Sequence, residues 1–209
     1  MRSARLKITM SNFGSSEQRL EFVRLRPFVI ASVLLFCAAA LAGGMAIVYF
    51  PQLATQLQEL LKQFAQMFRG LPKLQLAIAI FFNNSLKTLL VILLGPLFGI
   101  APVIFLVING AILGAVMPVA AATSGLWRSI MTIAPHGILE LPAIFLGTSI
   151  GLKLGMHPWL RLAGKADTTL MSELGHGLRF YFTIILPLLL LAAAIEVYVT
   201  PLIAGLGQV

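Results

Sequence analysis

Residues 28–50 read FVIASVLLFCAAALAGGMAIVYF, a run of 23 positions that contains no charged side chain. A helix needs roughly 20 mostly apolar residues to cross the hydrocarbon core of a bilayer, so this run is long enough for one transmembrane span. Four more apolar runs of similar length follow, at residues 74–94, 96–117, about 133–154 and 180–200. The sequence therefore predicts an all-α fold, a polytopic transmembrane helical bundle of about five spans that forms a single membrane domain over residues 1–209.

The overall composition excludes a water-soluble domain. Apolar residues make up 59% of the 209 positions and charged residues 11%, and the mean hydropathy is +0.96. The net charge of +8 is spread over the segments between the apolar runs, where basic side chains meet anionic lipid headgroups. Membrane lipids are therefore expected partners, and nucleic acid is not. Cys37 is the single cysteine, so no intramolecular disulfide can form, and we expect it to pack as a small apolar residue.

The basic residues predict the orientation of the chain in the membrane. Residues 1–27 form a basic leader, and the apolar run after it is too long for the hydrophobic region of a signal peptide, which indicates an uncleaved anchor. Lys and Arg concentrate on the cytoplasmic side of membrane proteins. A cytoplasmic N-terminus and an outer C-terminus satisfy this rule. The inner segments then hold Arg2, Arg5, Lys7, Arg19, Arg24, Arg26, Arg161, Lys165 and Arg179, and the outer segments hold Lys62, Arg69, Lys73 and Arg128.

Three connecting segments have patterns of their own. Residues 51–73 repeat apolar side chains every three or four positions, which predicts an amphipathic helix at the outer interface. Residues 118–134 are rich in alanine and end near Trp127 and Arg128, which favours a re-entrant or interfacial half-helix. Residues 157–178 predict a short amphipathic helix on the inner side, and the Gly95-Pro96 pair predicts a tight turn between spans two and three. The predicted bundle thus includes one or two interfacial or re-entrant helices.

Polar residues inside the predicted spans are the candidate site. Such groups need partners because an unpaired polar group in hydrocarbon is costly. We expect an intramembrane polar cluster, with Glu140 between two prolines that loosen its helix, as in helices that line transporter sites. The other interpretation, that Glu140 is a buried acceptor fixing helix register, stays open. The predicted cluster is Asn84, Asn109, His136 and Glu140, and the additional candidates are Asn83, Lys87 and Glu196.

Glycines at four-residue steps predict close helix packing. Small residues let two helix backbones approach each other in a membrane. Packing within one chain and packing across a homodimer look identical in sequence, so both stay open. The glycines concerned are Gly110 and Gly114 in the third span, and Gly147, Gly151 and Gly155 in the fourth.

The sequence lacks the motifs of common catalytic and cofactor sites. His136 and Glu140 share one helix face, but two ligands are a weak metal signal, and the His-Glu-x-x-His pattern of a metalloprotease is absent. No Ser/His/Asp set and no phosphate-binding loop is present. We therefore expect no catalytic residues, no metal, no cofactor and no enzymatic activity.

Three motifs in the predicted spans form a recognisable set. They are Phe82-Asn83-Asn84-Ser85, Asn109-Gly110-x-x-x-Gly114, and Pro135-His136-Gly137-Ile138-Leu139-Glu140-Leu141 with the glycine-rich helix after it. Together they resemble the stage II sporulation protein M family over about residues 20–205. The resemblance implies a five-span membrane protein in the cell membrane of a bacterium or archaeon, with Asn84, Asn109, His136 and Glu140 as matching positions. The namesake of the family resembles a scaffold protein that assembles with other envelope proteins.

Two functions therefore compete. The first is a non-enzymatic membrane subunit or scaffold of a cell-envelope complex, whose partners are other envelope membrane proteins. The second is a channel or transporter for an ion or small solute, in which the Asn/Glu cluster binds the solute and Glu140 titrates.

Overall fold

The computed structural model of the chain describes the backbone of residues 2–68, 70–165 and 168–203, and the side chains of residues 22–202 within these ranges except 64, 65, 68, 133, 135 and 136. The described residues form helices joined by short turns, and none of them lies in a β-strand. The helices are α1 (Arg2–Tyr49), α2 (Pro51–Phe68), α3 (Lys73–Leu94), α4 (Ile100–Ser124), α5 (Leu126–Leu162), α6 (Leu170–Phe180), a π-helical turn (Tyr181–Ile185), α7 (Leu186–Tyr198) and α8 (Thr200–Ile203).

Five helical segments are long and apolar enough to cross a membrane, which confirms the predicted five-span all-α fold. The first segment lies at the end of α1, which continues without a break through Pro27. The fifth joins α6 to α7 through the π-helical turn. The five segments are Phe22–Tyr49, Lys73–Leu94, Ile100–Ser124, Gly137–Leu162 and Leu170–Leu202.

The half-helix predicted over residues 118–134 is not a separate helix. Residues 118–124 are the last turns of α4, and residues 126–134 are the first turns of α5. Gly125 separates the two helices with a φ of +85°, a conformation that only glycine adopts readily. A single positive-φ glycine therefore turns the chain where the apolar composition predicts a longer excursion.

The connection between the fourth and fifth spans is also shorter than the sequence predicts. α5 continues to Leu162, and α6 begins at Leu170, where the side chain of Thr169 accepts a hydrogen bond from the backbone N–H of Ser172. The short helix predicted over residues 157–178 is therefore divided between the last turns of α5 and the 11-residue α6, which continues into the fifth span. The tight turn predicted at Gly95-Pro96 is present over residues 95–99.

Helix α5 occupies the centre of the bundle. It contacts α1, α3, α4, α6 and α7. Ala143, Thr148 and Ser149 on this helix have no exposed surface, and Ile150 and Leu154 are 3% and 1% exposed. The other spans therefore pack around α5.

The glycines of α4 allow α1 and α4 to touch through their backbones. A Cβ atom added at Gly110 would lie 3.0 Å from Cβ of Ala39, and one added at Gly114 would overlap the carbonyl group of Ala40. Gly43 faces Ala111 in the same way. These glycines are therefore used inside one chain.

The glycines of α5 face the neighbouring helices and the turn after α3. A Cβ atom at Gly151 would lie 2.7 Å from Cγ of Pro102, and one at Gly147 would overlap the side chain of Thr88. Gly155 packs on the backbone of Gly99 in the turn. Close approach on these sides of α5 again occurs within one chain.

A buried hydrogen bond links α3 to the π-helical turn, and its removal gives a small testable effect. The hydroxyl of Tyr181, which is 2% exposed, donates to the carbonyl oxygen of Ser85 at 2.9 Å. We expect Tyr181→Phe to lose about 1 kcal/mol of stability and roughly 2–4 °C of melting temperature. Tyr198→Phe is the matched control, because Tyr198 is 44% exposed. Equal melting temperatures for the two variants in one detergent would contradict the prediction.

Candidate intramembrane polar site

A pocket of about 260 Å³ lies between α1, α4 and α5, and two of the predicted site residues line it. Asn109 reaches it from α4 and Glu140 from α5, and the remaining lining is mostly apolar. An apolar pocket with a few converging polar groups is the usual form of a small-ligand site. The lining residues are Phe36, Asn109, Ile112, Leu113, Val116, Gly137, Glu140, Leu141 and Ile144.

Asn109 is held by its own helix. Its Nδ2 donates a hydrogen bond to the carbonyl oxygen of Phe105, one turn earlier, at 2.7 Å. Its Oδ1 accepts no hydrogen bond from the residues that the structure describes. The orientation of the amide is thus fixed by the backbone, and its carbonyl oxygen remains available to a donor in the pocket.

Glu140 lies on a continuous helix. The sequence predicts that Pro135 and Pro142 loosen the helix here, but α5 is helical from Leu126 to Leu162. Gly137, one turn before Glu140, also lines the pocket, and a Cβ atom added there would meet nothing within 4 Å. The side chain of Glu140 is half-buried. An uninterrupted helix positions its carboxylate at the pocket. Because Gly137 has no side chain, the space in front of this carboxylate is wider.

The predicted four-residue cluster comes together only in part. Asn84 lies on α3, whose Thr88 packs against Gly147 of α5, and the pocket is lined from α1, α4 and α5. Asn84 therefore does not line the pocket; its Oδ1 accepts a hydrogen bond from Nδ2 of Asn83 at 3.0 Å. The backbone of residue 136 is part of α5, but the side chain of His136 lies outside the described residues.

The additional candidates lie away from the pocket. Glu196 is half-buried near the end of α7. Asn83 and Lys87 are exposed on α3, one turn apart and therefore on the same helix face. A lysine at the centre of a membrane helix costs about 2.5–3.5 kcal/mol on insertion scales. Asn83 and Lys87, two polar side chains on one outward face of a membrane helix, thus need a polar or charged partner.

A buried hydroxyl cluster between α1 and α5 was not predicted. Ser32, Thr148 and Ser149 have no exposed surface. Oγ of Ser32 lies 3.4 Å from Oγ of Ser149 and 3.3 Å from Oγ1 of Thr148, and the Thr148 hydroxyl donates to the carbonyl oxygen of Ile144 at 2.9 Å. Hydroxyl groups join helices in this way in membranes. The signal available in the sequence was Thr148-Ser149 beside the glycines of α5.

A second polar cluster joins α5 to the start of α6. Nζ of Lys153 lies 2.8 Å from Oε2 of Glu173, and both side chains are less than one-fifth exposed. Oγ1 of Thr168 donates to Oε1 of Glu173 at 3.1 Å, and Nε2 of His157 lies 2.8 Å from the carbonyl oxygen of Thr168. His157 is a buried residue of α5. This cluster fixes the α5–α6 connection.

No group of three or more His, Cys, Asp or Glu residues that could hold a metal ion occurs among the described residues. The polar side chains of the pocket are instead one amide and one carboxylate, whose oxygen atoms suit a cation or a hydrogen-bond donor, and the carboxylate can also take up a proton.

Comparison with known proteins assigns the family. The model of the stage II sporulation protein M family matches residues 32–201, a range that holds Asn84, Asn109, His136 and Glu140. An uncharacterized protein of Methanocaldococcus jannaschii is 31% identical over 136 residues, which cover 64% of this chain and 76% of that protein. No solved structure gives a significant match. The resemblance predicted from the three sequence motifs is confirmed, and the chain belongs to the stage II sporulation protein M family.

Proposed function

We propose that this chain is a non-enzymatic integral membrane subunit that organises a complex in the cell membrane of a bacterium or archaeon. The observation that carries this proposal is the position of α5, which fills the centre of the bundle with residues such as Ala143, Thr148 and Ser149 that have no exposed surface. A conducting protein needs a path along its axis. A bundle packed around a central helix offers its outer faces to other membrane proteins instead.

The proposed orientation has the N-terminus in the cytoplasm and the C-terminus outside. The rings of Phe22 and Phe180 are in contact with centroids 5.1 Å apart, so the start of the first span packs against the end of α6, in the first half of the fifth span. Arg26, Arg161 and Lys165 are exposed at the end of the bundle where the first span begins and the fourth ends. The positive-inside rule supports a cytoplasmic location for it.

The second candidate is a channel or transporter, and the pocket between α1, α4 and α5 favours it. Asn109 and Glu140 face this pocket at membrane depth, where carboxylates often belong to ion or proton pathways. In this hypothesis Glu140 exchanges a proton or binds a cation. The pocket lies beside the central helix, so transport would need α1 or α4 to move relative to α5.

Glu140→Gln separates the two functions because it keeps the size of the side chain and removes its charge. We expect the variant to retain the same co-purifying membrane proteins as the wild type, within about twofold, since a structural subunit needs the hydrogen-bonding shape of this side chain more than its charge. Quantitative mass spectrometry after mild detergent extraction measures this recovery. A proton flux in liposomes that the wild type supports and Glu140→Gln loses would overturn the proposal in favour of transport.

A further inference from the structure

We propose that the exposed face of α3 around Asn83 and Lys87 binds a transmembrane helix of a different protein, and that this helix carries an aspartate or glutamate at the depth of Lys87. The inference rests on the proposed function, because it names the chemistry of a partner that the membrane subunit would hold. Asn83, Lys87, Leu90 and Leu94 share one helix face and are all exposed. This face of α3 thus presents two polar side chains, Asn83 and Lys87, next to two apolar ones, Leu90 and Leu94.

The depth of the two polar side chains makes lipid a poor neighbour. α3 is a span of 22 residues, and Asn83 lies at its middle. Lys87 lies seven residues before Leu94, which is about 10 Å along the helix axis, and half of the hydrocarbon core is about 15 Å thick. A lysine can extend its ammonium group part of the way toward the headgroups, but the short side chain of Asn83 cannot.

The chain itself supplies little to this face. Asn83 donates a hydrogen bond to the adjacent Asn84 at 3.0 Å. Lys87 forms no ion pair and no hydrogen bond with any residue that the structure describes. Ionisable residues in membrane helices almost always pair with one another or face a bundle interior. The polar face therefore points to a further helix that packs against α3.

A second copy of the chain does not fit this face. Copies inserted in the same orientation and paired through α3 would bring two Lys87 side chains to the same depth, and like charges at an interface repel. The contact between Tyr181 and Ser85 sets the register of α7 against α3 and places Glu196 about 25 Å along the membrane normal from Lys87. A second copy keeps that separation, so its Glu196 cannot reach Lys87.

The other carboxylates of the described spans are engaged elsewhere. Glu140 lines the pocket between α1, α4 and α5, and Glu173 is paired with Lys153. The carboxylate that complements Lys87 must therefore come from another protein. An acidic residue of a partner helix would neutralise Lys87, and a polar group one turn away would bond Asn83.

The test places a photo-crosslinking amino acid at Leu90, next to Lys87 on this face, in the full-length protein in its native membrane. Ile104 on α4 is the matched control, because each position lies five residues from the nearer end of the turn at residues 95–99, and the two side chains are 44% and 52% exposed. We expect Leu90 to capture a transmembrane segment that contains an aspartate or glutamate, and Ile104 not to capture it. Lys87→Glu should lower the captured amount by about tenfold or more, and changing the partner's carboxylate to lysine should restore it.

Folding and assembly are measured separately in the same cells. Lys87→Arg keeps the charge and should keep capture, and Lys87→Gln replaces Lys87→Glu if the latter does not accumulate. Capture at Leu90 of a second copy, of lipid alone, or of a helix without an acidic residue would overturn the inference. The absence of any crosslinked product at Leu90, in a sample from which a membrane partner still co-purifies, would also overturn the inference. Only the loss of every co-purifying partner would overturn the proposed function as well.

Discussion

Gly114→Ala is expected to lower the free energy of unfolding by about 3 kcal/mol, which corresponds to roughly 6–12 °C in apparent melting temperature. The new Cβ atom would overlap the carbonyl group of Ala40 and lie 2.7 Å from its Cα atom. Both obstacles are backbone atoms, so no side chain can rotate to make room. The helices α1 and α4 must separate, and the contact between them is lost along its length.

Gly175→Ala is the matched control for this experiment. Gly175 lies in α6, and a Cβ atom added there meets nothing within 4 Å. Alanine is favoured over glycine inside a helix by about 0.5–1 kcal/mol, so this variant should be as stable as the wild type or slightly more stable. Fluorescence-detected thermal unfolding in one detergent compares the three proteins. Similar melting temperatures for the two variants would show that α1 and α4 are not packed as described.

Glu173→Lys is expected to destabilise the α5–α6 connection by about 3 kcal/mol, because it replaces the ion pair with Lys153 by two like charges in a region that is largely screened from water. Arg24 lies close enough to act on the charge at position 173 and adds to the repulsion. Thr168 also loses the acceptor of its hydrogen bond. The expected result is a lower melting temperature and faster proteolysis between α5 and α6.

The charge-swapped double variant distinguishes a lost ion pair from a local packing defect. Lys153→Glu combined with Glu173→Lys restores opposite charges at the two positions and should recover part of the lost stability. Glu173→Gln is an intermediate case that removes the attraction without adding repulsion. A double variant that is less stable than either single variant would show that the pair between Lys153 and Glu173 does not hold the α5–α6 connection.

The number of spans could be predicted because bilayer thickness sets the length of an apolar run. Helix ends depended on local conformations that hydropathy does not report. Gly125 ends α4 with a φ of +85°. Hydropathy does not indicate this break, because the residues on both sides of Gly125 are mostly apolar and predict one continuous membrane-associated segment. In the same way, Thr169 caps the start of α6 inside residues 157–178, which the sequence predicts to form one short amphipathic helix.

The sequence identifies individual residues of the candidate site, but it does not show which of them lie together in the folded protein. Polar residues in apolar runs mark Asn109 and Glu140 without further information, and both line one pocket. Asn84 has the same polar character in the sequence, but α3 packs on the side of α5 that holds Gly147, away from the pocket. Neighbour relations among five helices depend on which glycine faces which helix, and spacing along one chain does not specify that pairing.

The hydroxyl cluster illustrates the same limit. Ser32 belongs to a span that reads as uniformly apolar, and Thr148 and Ser149 lie 116 and 117 positions later in the chain. Serine and threonine are common in membrane helices, where they also bond to their own backbone, as Thr148 does with Ile144. Only the packing of α1 on α5 makes these three hydroxyl groups a contact between helices.

The proposal that this chain is a subunit of a membrane complex is tested by the composition of the particle that the chain forms in its own membrane. Extraction in polymer-bounded patches of native membrane, followed by mass measurement and quantitative peptide analysis, gives the stoichiometry of each protein in that particle. We expect a discrete particle that contains the 22.6 kDa chain and at least one different membrane protein in a fixed ratio. A particle that contains only this chain, as a monomer or as identical copies, would contradict the proposal that it is a subunit of a membrane complex.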